Sequence, residues 1–529
     1  MTTAYPVRPS ILAVTLLVAV ALLQVPTGTS AHSAPCIAAN LPLNETVQLD
    51  QLFDPALDAP ATRAFLAGNG QKVIFLSRAT NIAAQTADGS QPILDGTRQV
   101  FVLDLTNGVT RLVSVNAHGD PADADCTLNE AAIDHLGQVV VFECSADNLV
   151  AADTNGLDDI FVHFVEPAYG HEAGVTLRVS RGFTGPPNLA DPSGADADGP
   201  SEVASIAART GVVVFSSGAT NLIENGFSPR NPLAQVQNYT FNLETGQIRL
   251  ISRPLGRPDG AANRFVATAS IDAEGMRVVT PTFANNLIPR PLRGEDPDAA
   301  FLMNLFSINL DLGLVRLLTK TGTGEAQTLP PDWCSLSGEA VFVCGSFSPD
   351  VSDNGLLTVF DTSTDNFDPD RIDANQTIDV YLHNAVTNRI QLLSRSPAGP
   401  APTQFPDGIP DLPKLFRVSD SPDISGNGRF VIYRTTALEW TEGQAGYGYV
   451  VVDLARPTEP GELISRPPPG AEPFSLKVSV TVDDLAQSDM PNLTSNGEIA
   501  AFEASYVSED AGTAPGDRRR LRAFLRCLR

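Results

Sequence analysis

The chain has 529 residues, 43% of them hydrophobic and 18% charged, a globular composition that leaves room for a large core. Gly and Pro, 41 of each, make it turn-rich without reaching the low-complexity range. With 61 acidic against 35 basic residues the net charge is −26, a field that repels nucleic acid and anionic membrane surfaces and excludes both as partners.

The first residues read as a signal peptide over 1–31: a cation at Arg8, the apolar run ILAVTLLVAVALL at 11–23, then TGTSA ending at Ala31. The run falls short of the roughly 20 residues that span a bilayer. Cys36 follows Ser-Ala-Pro, which lacks the small residue directly before the cysteine that lipid attachment needs. No other stretch is apolar and long enough to insert in a membrane, so residues 32–529 are expected outside the cytoplasm, periplasmic or secreted, as a soluble monomer.

After an N-terminal β-run, ETVQLDQL at 45–52, the chain repeats one unit seven times. A turn glycine followed by a β-run recurs at Gly70, Gly137, Gly211, Gly275, Gly338, Gly428 and Gly497. The longest interval, 90 residues, separates the fifth from the sixth. A third strand follows in each unit, among them QVFVLDL, DIFVHF and DVYLHN, and a fourth ends in RLVS, LRVS, RLIS, RLLT, QLLS or ELIS. Four antiparallel strands per unit with little helical periodicity describe an all-β fold, a seven-bladed β-propeller of four-stranded blades. The blades are expected near 62–115, 127–181, 203–253, 267–320, 332–395, 420–466 and 491–529. The seventh lacks a fourth strand, which 45–52 can supply by pairing with 520–529, closing the ring and removing an exposed edge. Within 520–529 the arginines alternate with Leu521, Ala523, Leu525 and Cys527, as in a half-buried strand and not a nucleic-acid patch.

Six cysteines in an exported chain indicate three disulfides, with connectivity open from sequence alone. Topology narrows it: Cys126 with Cys144 and Cys334 with Cys344 fall within single units, and Cys36 with Cys527 would lock the ring. There is no CxxC pair to favour metal-bound thiols.

Units such as DADCTLNEAAIDHLGQVVVFECSADNLVAADTNGLDDIFVHF followed by TLRVS resemble the WD40-like, TolB-type propeller repeat. The resemblance covers nearly all of 32–529, strongest in the second unit and weakest in the fifth. It implies a protein-interaction scaffold. The repeat's turn is reduced here to its glycine, and TolB itself has six blades after a separate domain.

The segment AADTNGLDDIFV poses a question of chemistry. Asp153, Asn155 and Asp158 are weak metal candidates, but position five of a calcium loop is Leu157 and position twelve Phe164, so a turn fits better. The fifth unit holds a second acidic stretch with Asp365, Asp368, Asp370 and Asp373, which reads as a solvated loop. Calcium is thus the only cofactor in view, and the expectation is none. There is no G-x-S-x-G elbow and no HExxH, and the histidines are scattered; Trp333, beside Cys334, reads as core or channel wall, and the only other tryptophan is Trp440. Two functions survive: a non-catalytic scaffold for a protein or peptide partner, or a channel-mouth glycoside hydrolase or lyase acting on a carbohydrate or small ligand. Asp, His and Arg converging on the axis at one face would favour the enzyme.

Overall fold

The structure is a computed structural model. It describes residues 41, 46–53, 57–129, 131–151, 153–187, 194–224, 236–257, 260–267, 269–288, 302–320, 344–364, 367–368, 370, 373, 375, 377–396, 418–437, 448–459, 461–465, 491–507 and 519–528. The signal peptide over 1–31, Cys36, Trp333, Cys334, Gly338, Asp365 and Trp440 lie outside the described residues, as does the side chain of Cys344.

The described residues form strands in repeating groups of four. After β1 (Thr46–Gln48), the first unit contains β2 (Ala61–Leu66), β3 (Lys72–Ser77), β4 (Gln99–Asp104) and β5 (Thr110–Leu112). The second contains β6 (Cys126–Thr127), β7 (Val139–Cys144), β8 (Asp159–Phe164) and β9 (Thr176–Arg178). The third contains β10 (Ser201–Ile206), β11 (Val212–Ser217), β12 (Gln237–Asn242) and β13 (Ile248–Leu250). The fourth contains β14 (Ser270–Ile271), β15 (Arg277–Thr282), β16 (Leu302–Asn309) and β17 (Leu314–Leu317). The fifth contains β18 (Cys344–Val351), β19 (Leu357–Thr362), β20 (Asp379–Asn384) and β21 (Arg389–Leu392). The sixth contains β22 (Ser419–Ile424), β23 (Phe430–Thr435), β24 (Gly448–Asp453) and β25 (Glu462–Leu463). The last contains β26 (Asn492–Leu493), β27 (Ile499–Val507) and β28 (Arg519–Cys527), with β1 as its fourth strand: Thr46 faces Arg526 and Gln48 faces Phe524. Each unit is an antiparallel meander, and a short parallel contact of Leu302 and Met303 with Cys344 and Gly345 joins the fourth to the fifth.

The Ser or Thr that ends each fourth strand in the sequence repeat has a structural cause. Ser114 donates to the Gln99 side chain and accepts the Val100 N–H, tying the fourth strand to the start of the third. Ser180 makes the same pair of bonds to Asp159 and Ile160, Ser252 to Gln237 and Asn238, Thr319 to Asn304 and Leu305, and Ser394 to Asp379 and Val380. Each hydroxyl is fully buried, so its bonds satisfy groups that water cannot reach. The V-x-F pattern has an equally local cause. Phe75 stacks on Phe101, Phe142 on Phe161, Phe215 on Tyr239, Phe360 on Tyr381 and Phe502 on Phe524, each pair joining second and third strands of one unit. Such pairs add about 0.5–1.5 kcal/mol each beyond their buried area. Every residue of β3 and β8 is buried, so these sheets are covered on both faces, and the cores lie between adjacent units.

The fifth unit departs from the sequence reading. Its first hairpin turns at Gly355, with φ +66°, between β18 and β19, and not at Gly338. The stretch VSDNGLLTVFDT, just ahead of the acidic stretch, is therefore the hairpin itself. With Gly355 in place the turn glycines fall at more even intervals, and the excess length lies ahead of the unit. Gly338, outside the described residues, opens GEAVFVCG, which carries the same glycine-plus-apolar pattern as the second strands of the other units.

Successive units are linked through their first turns by backbone hydrogen bonds, all in one sense. Asn69 N–H donates to His135 O, His135 to Ala208 O, Arg209 to Ala273 O, Ala273 to Asp353 O, Asp353 to Gly426 O, Asn427 to Ser495 O, and Ser495 to Gly68 O. The series returns to the turn where it began.

Cys126 and Cys144 face each other on β6 and β7 and are disulfide-bonded. Cys527 on β28 is also in a disulfide. Replacing Cys527 with Ser should cost about 2–4 kcal/mol, the usual worth of a disulfide. Thermal unfolding should show a lower melting temperature with unchanged far-ultraviolet circular dichroism; unchanged melting would remove the bridge from the account of closure.

Candidate functional site

The first turns of the seven units bring their tips together at one end of the strands. Arg209, from the third unit, donates from Nη1 to Glu274 Oε1 of the fourth at 3.0 Å and from Nη2 to Asp353 Oδ2 of the fifth at 2.6 Å. His135, from the second, places Nδ1 3.2 Å from Ser495 Oγ of the last, passing over the first unit's turn at Gly68. A Cβ at Gly68 would collide with both side chains, so any larger residue there would have to displace them. Burial and the Arg209 charge lower the His135 pKa, partly offset by Asp353, so the imidazole is neutral at neutral pH.

A second circuit of bonds lies on the innermost strands, beneath the tips. Arg63 Nη1 donates to Leu128 O at 2.7 Å, Ile206 N–H to Ala131 O, and Ser205 Oγ to Ala269 O at 3.2 Å. Ser270 Oγ donates to Asp350 Oδ1 at 3.1 Å, and Asp350 Oδ2 accepts the Ile424 N–H at 2.8 Å. Asp423 Oδ1 accepts the Leu493 N–H at 2.8 Å, and Asn492 Oδ1 accepts the Leu66 N–H at 2.8 Å. Burial pushes the Asp350 carboxyl up to about 6. Burial and the neighbouring Asp350 charge push Asp423 well above the ordinary carboxylate range.

A third set of contacts supports bulges in the innermost strands. Arg63, Val203 and Ser421 have φ near +50° (47°, 49° and 49°), a conformation that costs a non-glycine residue about 1 kcal/mol or more. Their N–H groups turn out of the ladder onto carboxylates of the preceding unit's second strand. Glu503 accepts from Arg63, Glu143 from Val203 at 3.1 Å, and Asp361 from Ser421 at 3.0 Å. Burial, then repulsion from Asp420, raises the Asp361 carboxyl to about 7.

The acidic loop singled out in the sequence is at the other end of the strands. There Arg178, fully buried, donates to Asp153 at 2.7 Å, Asp159 at 3.3 Å and Asp196 at 2.9 Å. Asn155 accepts the Leu157 N–H, closing an Asx turn, and donates to Asp159, while Asp158 accepts from Ser145. A guanidinium thus stands among these carboxylates where the sequence reading set a calcium ion against a turn. In the fifth unit Asp373 accepts the Tyr381 hydroxyl at 2.6 Å, Asp368 accepts the Leu392 N–H at 3.1 Å, and Asp370 pairs with Arg389. Among the described residues no group of three or more His, Cys, Asp or Glu side chains is arranged to hold a metal ion.

The structure therefore separates Asp153 and its neighbours from the tips and gathers His135, Arg209, Glu274, Asp353 and Ser495, none of which the sequence reading singled out as a site. The signal for them was their place in the tight turns: His135, Arg209, Asp353 and Ser495 lie two residues before a turn glycine, and Glu274 lies one before Gly275.

No protein-family model matches the sequence, that of the WD40-like repeat included, and no curated protein matches it. Among solved structures the chain is similar to an oligogalacturonate lyase from Vibrio parahaemolyticus, at 9% identity over 91% of this chain and 95% of that one, with a TM-score of 0.47. It is similar to the β-propeller domain of the Trilobed protease from Pyrococcus furiosus, at 10% identity over 89% and 95%, with a TM-score of 0.41. It is also similar to TolB from Acinetobacter baumannii, at 10% identity over 81% and 75%, with a TM-score of 0.33.

Two expectations follow. Arg178→Met strands Asp153 and Asp159 without their counter-charge and should cost about 3–5 kcal/mol at neutral pH. Chemical denaturation should show the loss shrinking towards pH 5, because burial already raises both carboxyls and they protonate readily. For Asp361 the folded pKa lies above the unfolded value, so its stabilisation is complete below about pH 4 and is lost as pH rises through about 7. Asp361→Asn should accordingly gain in melting temperature relative to the parent between pH 4 and pH 8; a constant difference would contradict the raised value.

Proposed function

We propose that the chain is a seven-bladed, ring-closed β-propeller working outside the cytoplasm, periplasmic or secreted, as a non-catalytic scaffold that binds a protein or peptide at the face of the turn tips. The observation that carries this reading is how the polar groups of that face are engaged. Arg209 is held by Glu274 and Asp353, His135 lies against Ser495, and the tip backbones bond to one another around the whole circuit. A general acid or base needs a proton-transfer partner in the substrate within hydrogen-bond reach, and groups locked to their neighbours offer a preorganised surface in place of that reach. The Cys126–Cys144 disulfide and the bonded state of Cys527 fit an oxidising compartment, as does the signal-like segment at 1–31. Asp153, Asn155 and Asp158 enter this reading as turn residues around Arg178, and no cofactor enters it.

One observation favours the second reading, a channel-mouth enzyme acting on a carbohydrate or small ligand: His135, Arg209 and Asp353 do converge at one face.

Photo-crosslinking distinguishes the two. A crosslinking residue at Asn427 or Glu274 on the tip face should capture one polypeptide from the extracytoplasmic fraction, and the same residue at Asp147 on the opposite face should not. Equal capture from both faces would contradict the scaffold reading. Cleavage of an acidic oligosaccharide, abolished by His135→Ala in a variant of unchanged melting temperature, would establish the enzyme.

A further inference from the structure

Away from the tips, the third and fourth units leave a groove of about 1210 Å³ along β13 and the end of β16. Among the described residues its lining includes Arg181, Arg249, Arg253 and Arg257 against a single acidic residue, Glu224. The whole chain runs the other way, with 35 basic residues to 61 acidic, so this local excess of cations stands against the molecule's field. Two of the arginines are anchored in the floor: Arg181 lies 5.3 Å over the Phe241 ring and is 7% exposed, and Arg253 donates from Nε to Leu250 O at 2.9 Å. Arg249 and Arg257 are exposed, and among the described residues neither forms an ion pair. The groove therefore presents two guanidinium groups to solvent beside an apolar wall.

We infer that this groove binds an acidic segment of a partner polypeptide, with its carboxylates on Arg249 and Arg257 and its apolar side chains against the wall. Charge complementarity selects the acidic class, since guanidinium forks match carboxylates in a bidentate way. The wall selects a polypeptide over an anionic sugar chain. Among the described residues Phe183 is its one partly exposed aromatic ring, and the rest of the apolar wall is aliphatic or proline, with Leu312 70% exposed and Pro186, Pro187 and Pro254 alongside. Sugar rings pack best on flat aromatic faces, whereas leucine and proline surfaces fit aliphatic side chains. The backbone adds a further means of capture, because β13 is the terminal strand of its sheet among the described residues and an extended segment can pair with its outer edge.

The groove is independent of the tip face, so failure here would leave the scaffold reading of that face untouched. The test uses the full mature chain and a fluorescein-labelled peptide of glutamates spaced by leucine and proline, followed by fluorescence anisotropy. Binding should weaken as salt rises. The double variant Arg249→Glu with Arg257→Glu should weaken it at least about tenfold, roughly the 1.4 kcal/mol expected for losing charge-assisted contacts, with no change in melting temperature. A peptide with lysine in place of glutamate should not bind. Equal binding by parent and double variant, or none at millimolar peptide, would overturn the inference. Binding of polygalacturonate through the same arginines, with no binding of the peptide, would overturn the polypeptide assignment.

Discussion

Apart from the short parallel contact of β18 with β16, each unit's innermost strand has, among the described residues, an edge with no further strand beside it, and the backbone groups on that edge still need hydrogen-bond partners. This requirement organises the rest of the molecule. An unpaired N–H shut away from water costs about 1–3 kcal/mol, so units that leave such edges facing one another must supply acceptors across the gap. Here the neighbours do so: Asp350, Asp423 and Asn492 accept N–H groups of the next unit, and Glu143, Asp361 and Glu503 accept those released by the bulges. The tip circuit does the same with backbone alone. β1 answers the need at the outer side of the last unit, where β28 would otherwise end the sheet.

The acidity of the chain takes on a second meaning in this light. Repulsion of nucleic acid is one consequence of a charge of −26, but many carboxylates are not on the surface at all. Asp159, Asp361, Asp379 and Asp423 are buried acceptors for N–H, hydroxyl or amide donors, and burial raises the pKa of each. With burial pushing Asp361 up to about 7 and Asp379 up to about 8, the effective charge near neutral pH is smaller than the formal one. The molecule also becomes pH-sensitive inside its framework, since ionising these groups works against the packing that holds them.

Much of the fold was legible because its signals are local. The terminal Ser or Thr of each fourth strand, the aromatic at the same place in second and third strands, and the N-terminal run that completes the last unit all follow from pairing within one sheet. Cys126 and Cys144 were legible for the same reason, one hairpin apart. The fifth turn was misplaced because an apolar run after a glycine at Gly338 imitates the pattern, and only pairing of β18 with β19 separates imitation from hairpin. The site was least legible. Arg178 approaches Asp153 from the fourth strand and Asp196 from the next unit, and Arg209 reaches Asp353 across 144 positions of sequence. No spacing rule along one chain reports contacts that depend on how the units are arranged around an axis. The bulges at Arg63, Val203 and Ser421 were equally silent, since none of them is a residue that normally takes positive φ.

The proposed closure of seven units into one ring depends most on the Ser495 N–H to Gly68 O bond, where an open ring would part. Native-state hydrogen exchange at the turn amides tests it most directly. The account predicts that the Ser495 amide exchanges as slowly as those of His135, Arg209, Ala273 and Asp353, because opening any one link requires the same cooperative event. Fast exchange at Ser495 with protection at the other tips would mean that the last unit does not close on the first, and the ring would have to be redrawn as an open arc.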